Sequence, residues 1–190
     1  MALVILLKGI NVGGHRTFRP STLAAALARF GARNVGAAGT LIVRRRVSRQ
    51  QIRAEIRKHL PFEVEIVVCA GRDIVRLASE QPFAGQSSGQ AVVRFVGVVA
   101  RRARPATRPP FALPPTGRWC VRLLAYQHPF LLGLHRREMR ALRYLRQVEL
   151  VVGAPVTIRS WHTIQAIANI LQARSAGTGR AAPSRGKRRT

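Results

Sequence analysis

With 33 Lys and Arg against 7 Asp and Glu, a formal net charge of +26 over 190 residues, the chain is neither an acidic nor a charge-balanced protein. Its 47% hydrophobic content excludes a wholly disordered chain and supplies one domain with a sizeable core. Almost all of the excess is arginine, the only lysines being Lys8, Lys58 and Lys187; polyanions are the natural counter-charge, although a codon bias toward Arg would also scatter arginines.

Residues 2–7 are continuously apolar, as a central strand buried on both faces should be, and Gly9, Gly13 and Gly14 then break the chain into a loop. Leu23, Ala26, Leu27 and Phe30 recur at helical spacing, with Gly31 placed to close that helix in a left-handed conformation. Residues 35–43 read as a second strand. Ser48 with Gln51 forms a capping box, Val47 is placed to staple against Ile52, and Ile52, Ile56 and Leu60 form the buried stripe of the helix that follows. Residues 63–68 alternate as a half-exposed strand with Glu63 and Glu65 outward, and Asp73 is placed to cap a short helix running to Ser79.

A polar turn over 86–90 leads into a strand over 91–99. Residues 101–117 are dense in Arg and Pro and predict a long, basic, partly extended loop. A strand over 119–126 and a helix over 136–148 follow, the latter with Met139, Leu142 and Leu145 facing in. A short strand over 156–158 enters a last helix capped by Ser160, whose apolar stripe is Ile164, Ile167, Ala168 and Leu171. Residues 173–190 read as a disordered basic tail, leaving residues 1–172 as one α+β domain.

Cys69 and Cys120 are far apart and lack metal-ligand spacing, so buried reduced thiols are expected and nothing implies an oxidising compartment. The opening apolar run is too short to span a membrane and lacks the basic start of a secretory signal; the expectation is a cytoplasmic protein without a membrane partner.

Leu6-Leu7-Lys8-Gly9-Ile10-Asn11-Val12-Gly13-Gly14 resembles the opening signature of the bacterial family called domain of unknown function 1697. Val156-Thr157-Ile158-Arg159-Ser160-Trp161-His162-Thr163 resembles that family's closing strand-to-helix signature, and the resemblance covers about residues 2–172. It implies an α+β fold of two ferredoxin-like repeats and carries no established reaction. The chain departs from the pattern in three places: Ala38-Gly39-Thr40 stands where Ser-Gly-Asn is usual, the Arg/Pro loop replaces a helix after the fourth strand, and the later aromatic strand with its helix fits poorly.

Two kinds of candidate site emerge. Asn11, Gly13 and Gly14 sit in a strand-to-helix loop that either presents backbone N–H groups to an anion or forms a tight turn with Asn11 bonded to its own backbone; the lysine and hydroxyl of a P-loop are absent. Arg159 and Trp161 lie at the start of the last helix, where an anion is welcome, though for Trp161 a core plug is the favoured reading. If both signatures lie together in space they form one shallow anion site. Arg49, Arg53 and Arg57 repeat every fourth residue as a basic ridge, and Arg180, Arg185, Lys187, Arg188 and Arg189 make the tail a polyanion binder.

No catalytic constellation is found. The histidines show no metal-binding spacing, no nucleophile elbow is present, and acids are too scarce for two-metal chemistry; no cofactor is implied. The expected function is non-enzymatic, non-specific binding of nucleic acid or another polyanion through arginine faces, the 101–117 loop and the tail. The alternative is a small enzyme or sensor that takes a phosphorylated metabolite at the 9–14 loop and the Arg159–Trp161 junction.

Overall fold

The computed structural model describes residues 1–11, 17–86, 89–103, 105 and 107–173. These form a mixed α+β structure with two antiparallel sheets and five α-helices. The first sheet takes strands β1 (Leu3–Leu7), β2 (Ala32–Asn34), β3 (Thr40–Val43) and β4 (Ile66–Ala70) in the order β2-β3-β1-β4. Helix α1 (Pro20–Ala26), continued by a 3₁₀ turn over Ala28–Phe30, joins β1 to β2, and α2 (Arg49–Lys58) joins β3 to β4.

Helix α3 (Gly71–Ser79) leads into the second sheet. Its strands are β5 (Val92–Val99), β6 (Phe111–Leu113), β7 (Val121–Gln127), β8 (Phe130–Arg136) and β9 (Val156–Ser160), ordered β6-β7-β8-β5-β9. Helix α4 (Met139–Val152) precedes β9, and α5 (Trp161–Gln172) ends the described chain.

Alternation along the strands explains the layering. Leu3, Ile5 and Leu7 turn toward Leu23, Leu27, Ile52 and Ile56 of α1 and α2. Val4 and Leu6 turn the other way, into a core shared with α3, α5 and the facing side of the second sheet, where Val96, Val98, Phe130 and Leu134 lie. The far side of that sheet, with Phe95, Val121, Leu123 and Leu131, takes Val148 and Val152 of α4. Helices α3 and α5 are thus held between two sheets, and residues on both faces of β1 are buried, as its uninterrupted apolar run predicts.

Several local expectations fail for physical reasons. Of the strand expected over 35–43 only Thr40–Val43 forms, because Gly36 and Gly39 take positive φ and turn the chain between β2 and β3. Glu63 and Glu65 precede β4, which is buried throughout instead of alternating. The 101–117 loop contains the short strand β6. Strand β8 lies where no strand was expected, and Met139 and Leu142 face solvent while Ala141, Val148 and Val152 face in. The capping box holds as read: Gln51 N donates to Ser48 Oγ at 3.1 Å, and Ser48 N to Gln51 Oε1 at 3.1 Å.

Candidate functional site

The loop after β1 and the strand before α5 meet on one turn, residues 37–40. Asn11, at φ 56°, accepts from Phe18 N through Oδ1 at 2.8 Å and donates from Nδ2 to Phe18 O at 2.8 Å and Ala37 O at 3.0 Å. From β9, the Arg159 guanidinium donates to Leu7 O at 2.9 Å, Ala38 O at 2.6 Å, Thr40 Oγ1 at 2.9 Å and Ile158 O at 2.8 Å. The residue is 8% exposed, and burial pushes its pKa down to about 10, which still leaves the side chain a cation at neutral pH. Both signatures therefore converge, but Arg159 is committed to carbonyls of the chain itself.

Lys8 adds a second tie across the same seam. Its Nζ lies 2.6 Å from Glu149 Oε1 and 3.7 Å from Glu65 Oε2, and Glu149 Oε1 also accepts from Val156 N at 2.8 Å. The turn fits only with glycine at 39: a Cβ there would stand 2.3 Å from Ile10 Cδ1. Trp161 is buried against Phe83, ring centroids 5.1 Å apart and edge-on, so the indole fills the core between the sheets. Ser160 Oγ accepts from Thr163 N at 3.2 Å and caps α5. Gly13 and Gly14 lie outside the described residues, as do Arg180, Arg185, Lys187, Arg188 and Arg189.

The ridge on α2 is not uniform. Arg53, in the middle, donates from Nε to Ile66 O at 3.3 Å and is half-buried. Arg57 lines an open cleft of about 840 Å³ with Lys8, Gly9, Phe62, Glu63 and Glu65. Arg49 faces a narrower cavity beside Cys69, Asp73 and His128. Burial pushes the Cys69 thiol up to about 12, with the nearby Asp73 carboxylate adding to the effect, so this Cys–His–Asp grouping holds no thiolate nucleophile at neutral pH.

A wider cleft, about 1230 Å³, opens where the Arg/Pro loop folds back on the end of β7. Arg102, Arg108, Tyr126 and His128 line it over a floor of Leu124 and Ala125, with no carboxylate in its wall. Ala103 N donates to Tyr126 Oη at 3.4 Å, and Tyr126 Oη lies 3.4 Å from His128 Nδ1, which fixes loop to strand. Sequence reasoning marked the loop as basic but missed Tyr126 and His128. The available signal was the His128-Pro129 pair, which punctuates the chain between two apolar runs and marks the β7–β8 turn.

The cleft's charge is not balanced elsewhere. Among the described residues every carboxylate except Glu63 already sits in an ion pair, with Lys8, Arg29, Lys58, His59, Arg72, Arg76 or Arg118. No group of three His, Cys, Asp or Glu among those residues is placed to hold a metal ion.

The family model described as protein of unknown function (DUF1697) matches residues 1–107. The chain belongs to this family. No match is found among curated proteins. The solved structure of the conserved bacterial protein SP0830 from Streptococcus pneumoniae is similar to this one with a TM-score of 0.57, over 90% of this chain and 98% of that chain, at 15% identity. That likeness speaks for the fold alone. Within this DUF1697 chain, the opening signature has a physical content: Lys8 reaches across to Glu149 of α4, while Ile10 packs under Gly39 and Asn11 bonds Ala37 O, so both hold the 37–40 turn that Arg159 also bonds.

Proposed function

We propose that this protein binds nucleic acid or another polyanion without sequence specificity, chiefly in the cleft beneath the 101–110 loop. The observation that carries the reading is a wide cleft whose wall presents Arg102, Arg108, Tyr126 and His128 and no carboxylate. Guanidinium forks match phosphate oxygens, and a tyrosine ring offers a face to a base; backbone contacts of this kind carry no sequence information.

The topology supports the same reading. The order β2-β3-β1-β4 agrees with a ferredoxin-like repeat, and β7-β8-β5-β9 repeats it with α4 and α5 in the places of α2 and α3. Among the described residues the second repeat has no counterpart of α1. Its Arg/Pro loop stands there instead, and a loop covers a sheet end less completely than a helix does, which leaves the cleft open. The metabolite alternative at the 9–14 loop is the weaker one, because Arg159 is bonded to internal carbonyls and Trp161 is buried.

The test is fluorescence anisotropy of labelled single-stranded and duplex oligonucleotides with the full chain at several salt concentrations. Binding should weaken with log salt at a slope of about −0.9 per duplex phosphate neutralised, or about −0.7 on single strands. Arg102→Gln with Arg108→Gln should weaken binding and flatten the duplex slope by about 1.8. No binding at low salt rejects the function; binding indifferent to these two arginines rejects the cleft.

A further inference from the structure

Helix α4 carries a second apolar face besides the one it buries, unlike the usual surface helix. Among the described residues, the exposed large hydrophobic side chains other than Met1 are all on it: Met139 at 82%, Leu142 at 50% and Leu150 at 81%. At 3.6 residues per turn these three share an arc of about 100° with Arg143 and Arg146, both exposed, while Ala141, Val148 and Val152 point the opposite way into the sheet. Arg140, also exposed, flanks the arc and leans over Tyr144 at 5.9 Å. No carboxylate lies on it, since Glu149 is turned to Lys8 and Glu138 pairs with Arg118.

We propose that this face of α4 docks on the surface of an anionic phospholipid bilayer. The occupant follows from charge and shape. A second copy of the same face would set Arg143 and Arg146 against their own kind. A folded protein partner would have to supply both an apolar groove for Met139 and Leu150 and carboxylates placed against Arg143 and Arg146, and it is the occupant the peptide arm of the experiment separates. A bilayer needs only apolar side chains that reach the acyl boundary and long cations that stay at the headgroups; Met, Leu and Arg on one arc supply both. At 14 residues the helix lies on a membrane, and no described helix is long and apolar enough to cross one. This departs from the expectation of no membrane partner, which considered only a spanning segment or a signal.

The experiment is co-sedimentation of the full chain, at about 0.15 M salt, with vesicles of phosphatidylcholine alone or mixed with phosphatidylglycerol. The parent is compared with the variant Met139→Ser, Leu142→Ser, Leu150→Ser, which keeps the net charge, so attraction by charge alone cancels. The parent should partition onto the phosphatidylglycerol vesicles about tenfold or more above the variant. The variant should keep its melting temperature. Arg143→Gln with Arg146→Gln should lower partitioning onto the anionic vesicles only. Equal partitioning of parent and serine variant overturns the proposal, as does a parent that ignores both vesicles. If the serine variant instead loses binding to a glutamate-rich amphipathic helical peptide while vesicle binding is unchanged, the face belongs to a protein partner and the lipid reading is overturned. None of these outcomes depends on whether the cleft binds nucleic acid.

Discussion

Arg159→Met removes the fork that ties β9 to the first sheet while keeping an aliphatic side chain of similar reach. Three short bonds into the first half are lost, to Leu7 O, Ala38 O and Thr40 Oγ1. A buried acceptor left unpaired costs about 1–3 kcal/mol, so Leu7 O and Thr40 Oγ1 at about 2.5 each, with the more accessible Ala38 O at about 1, cost roughly 6 kcal/mol together. Against this, the variant no longer buries a cation: the fall in pKa from 12.5 to about 10 corresponds to roughly 3 kcal/mol of lost hydration. The net loss is therefore about 3 kcal/mol, which for a chain of this size lowers the melting temperature by roughly 6–12 °C. Scanning fluorimetry and urea titration of purified parent and variant measure it. Arg159→Lys should fall between them, because one ammonium cannot span three acceptors on different strands. A shift under about 2 °C, accompanied by loss of anion binding, would reverse the assignment and make Arg159 a ligand residue.

Gly39→Ala should cost about 2–5 kcal/mol in a urea titration, since strain at φ 68° adds to the clash with Ile10; Gly36→Ala, at φ 72° with nothing within 4 Å, should cost about 1–2 kcal/mol. Equal losses would show that Ile10 moves aside freely. Burial pushes the Cys69 thiol up to about 12 and raises Cys120, which also donates to Glu138. A thiol reagent at neutral pH should therefore find neither in the native protein and both in guanidinium, and fast native labelling would contradict that burial. The hydrogen bond from Lys58, then the charges of Arg29, Lys58 and His59, hold Glu55 below its ordinary 4.5 against opposing desolvation. The stability it contributes is complete above that value and lost as pH falls from 4.5 through the lower folded value. Glu55→Gln should flatten the acid limb of the stability curve, and an unchanged limb would show that the pairing is idle.

Much of the first half was legible because its signals are local. The apolar run of β1, the capping box at Ser48 and the Ile52–Ile56 stripe of α2 each follow from residues within a turn or two of one another. The second half failed where the deciding neighbour is distant in sequence. Gly133 makes residues 130–136 look broken, yet the strand continues through it because Phe95 on β5 fills the space: a Cβ at 133 would lie 2.4 Å from Phe95 Cζ. In α4 the apolar residues populate two arcs, and periodicity cannot say which one meets the sheet. In sequence Arg159 reads as an exposed arginine open to an anion, whereas it is buried. Its role depends on where Leu7 and the 37–40 turn end up, more than a hundred residues away.

The scarcity of acids explains how so basic a chain folds, and it limits what the charge can mean. With seven carboxylates available, arginines turn to backbone carbonyls instead. Arg44 donates to Ile170 O at 2.6 Å in the last turn of α5, where carbonyls lack helical partners and a cation is favoured. Arg45 donates to Arg29 O at 3.0 Å, Arg53 to Ile66 O at 3.3 Å and Arg136 to Trp119 O at 2.9 Å, in the same manner as Arg159. These guanidiniums act as tethers between elements, a use in which five donors on a long stem outperform lysine. A bias toward arginine thus has a structural outlet that needs no ligand, and net charge alone is a poor witness to polyanion binding. What sets Arg102 and Arg108, and Arg143 and Arg146, apart from the other exposed arginines is their setting: the first two line a cleft with no carboxylate in its wall, and the second two share an arc with exposed Met139, Leu142 and Leu150.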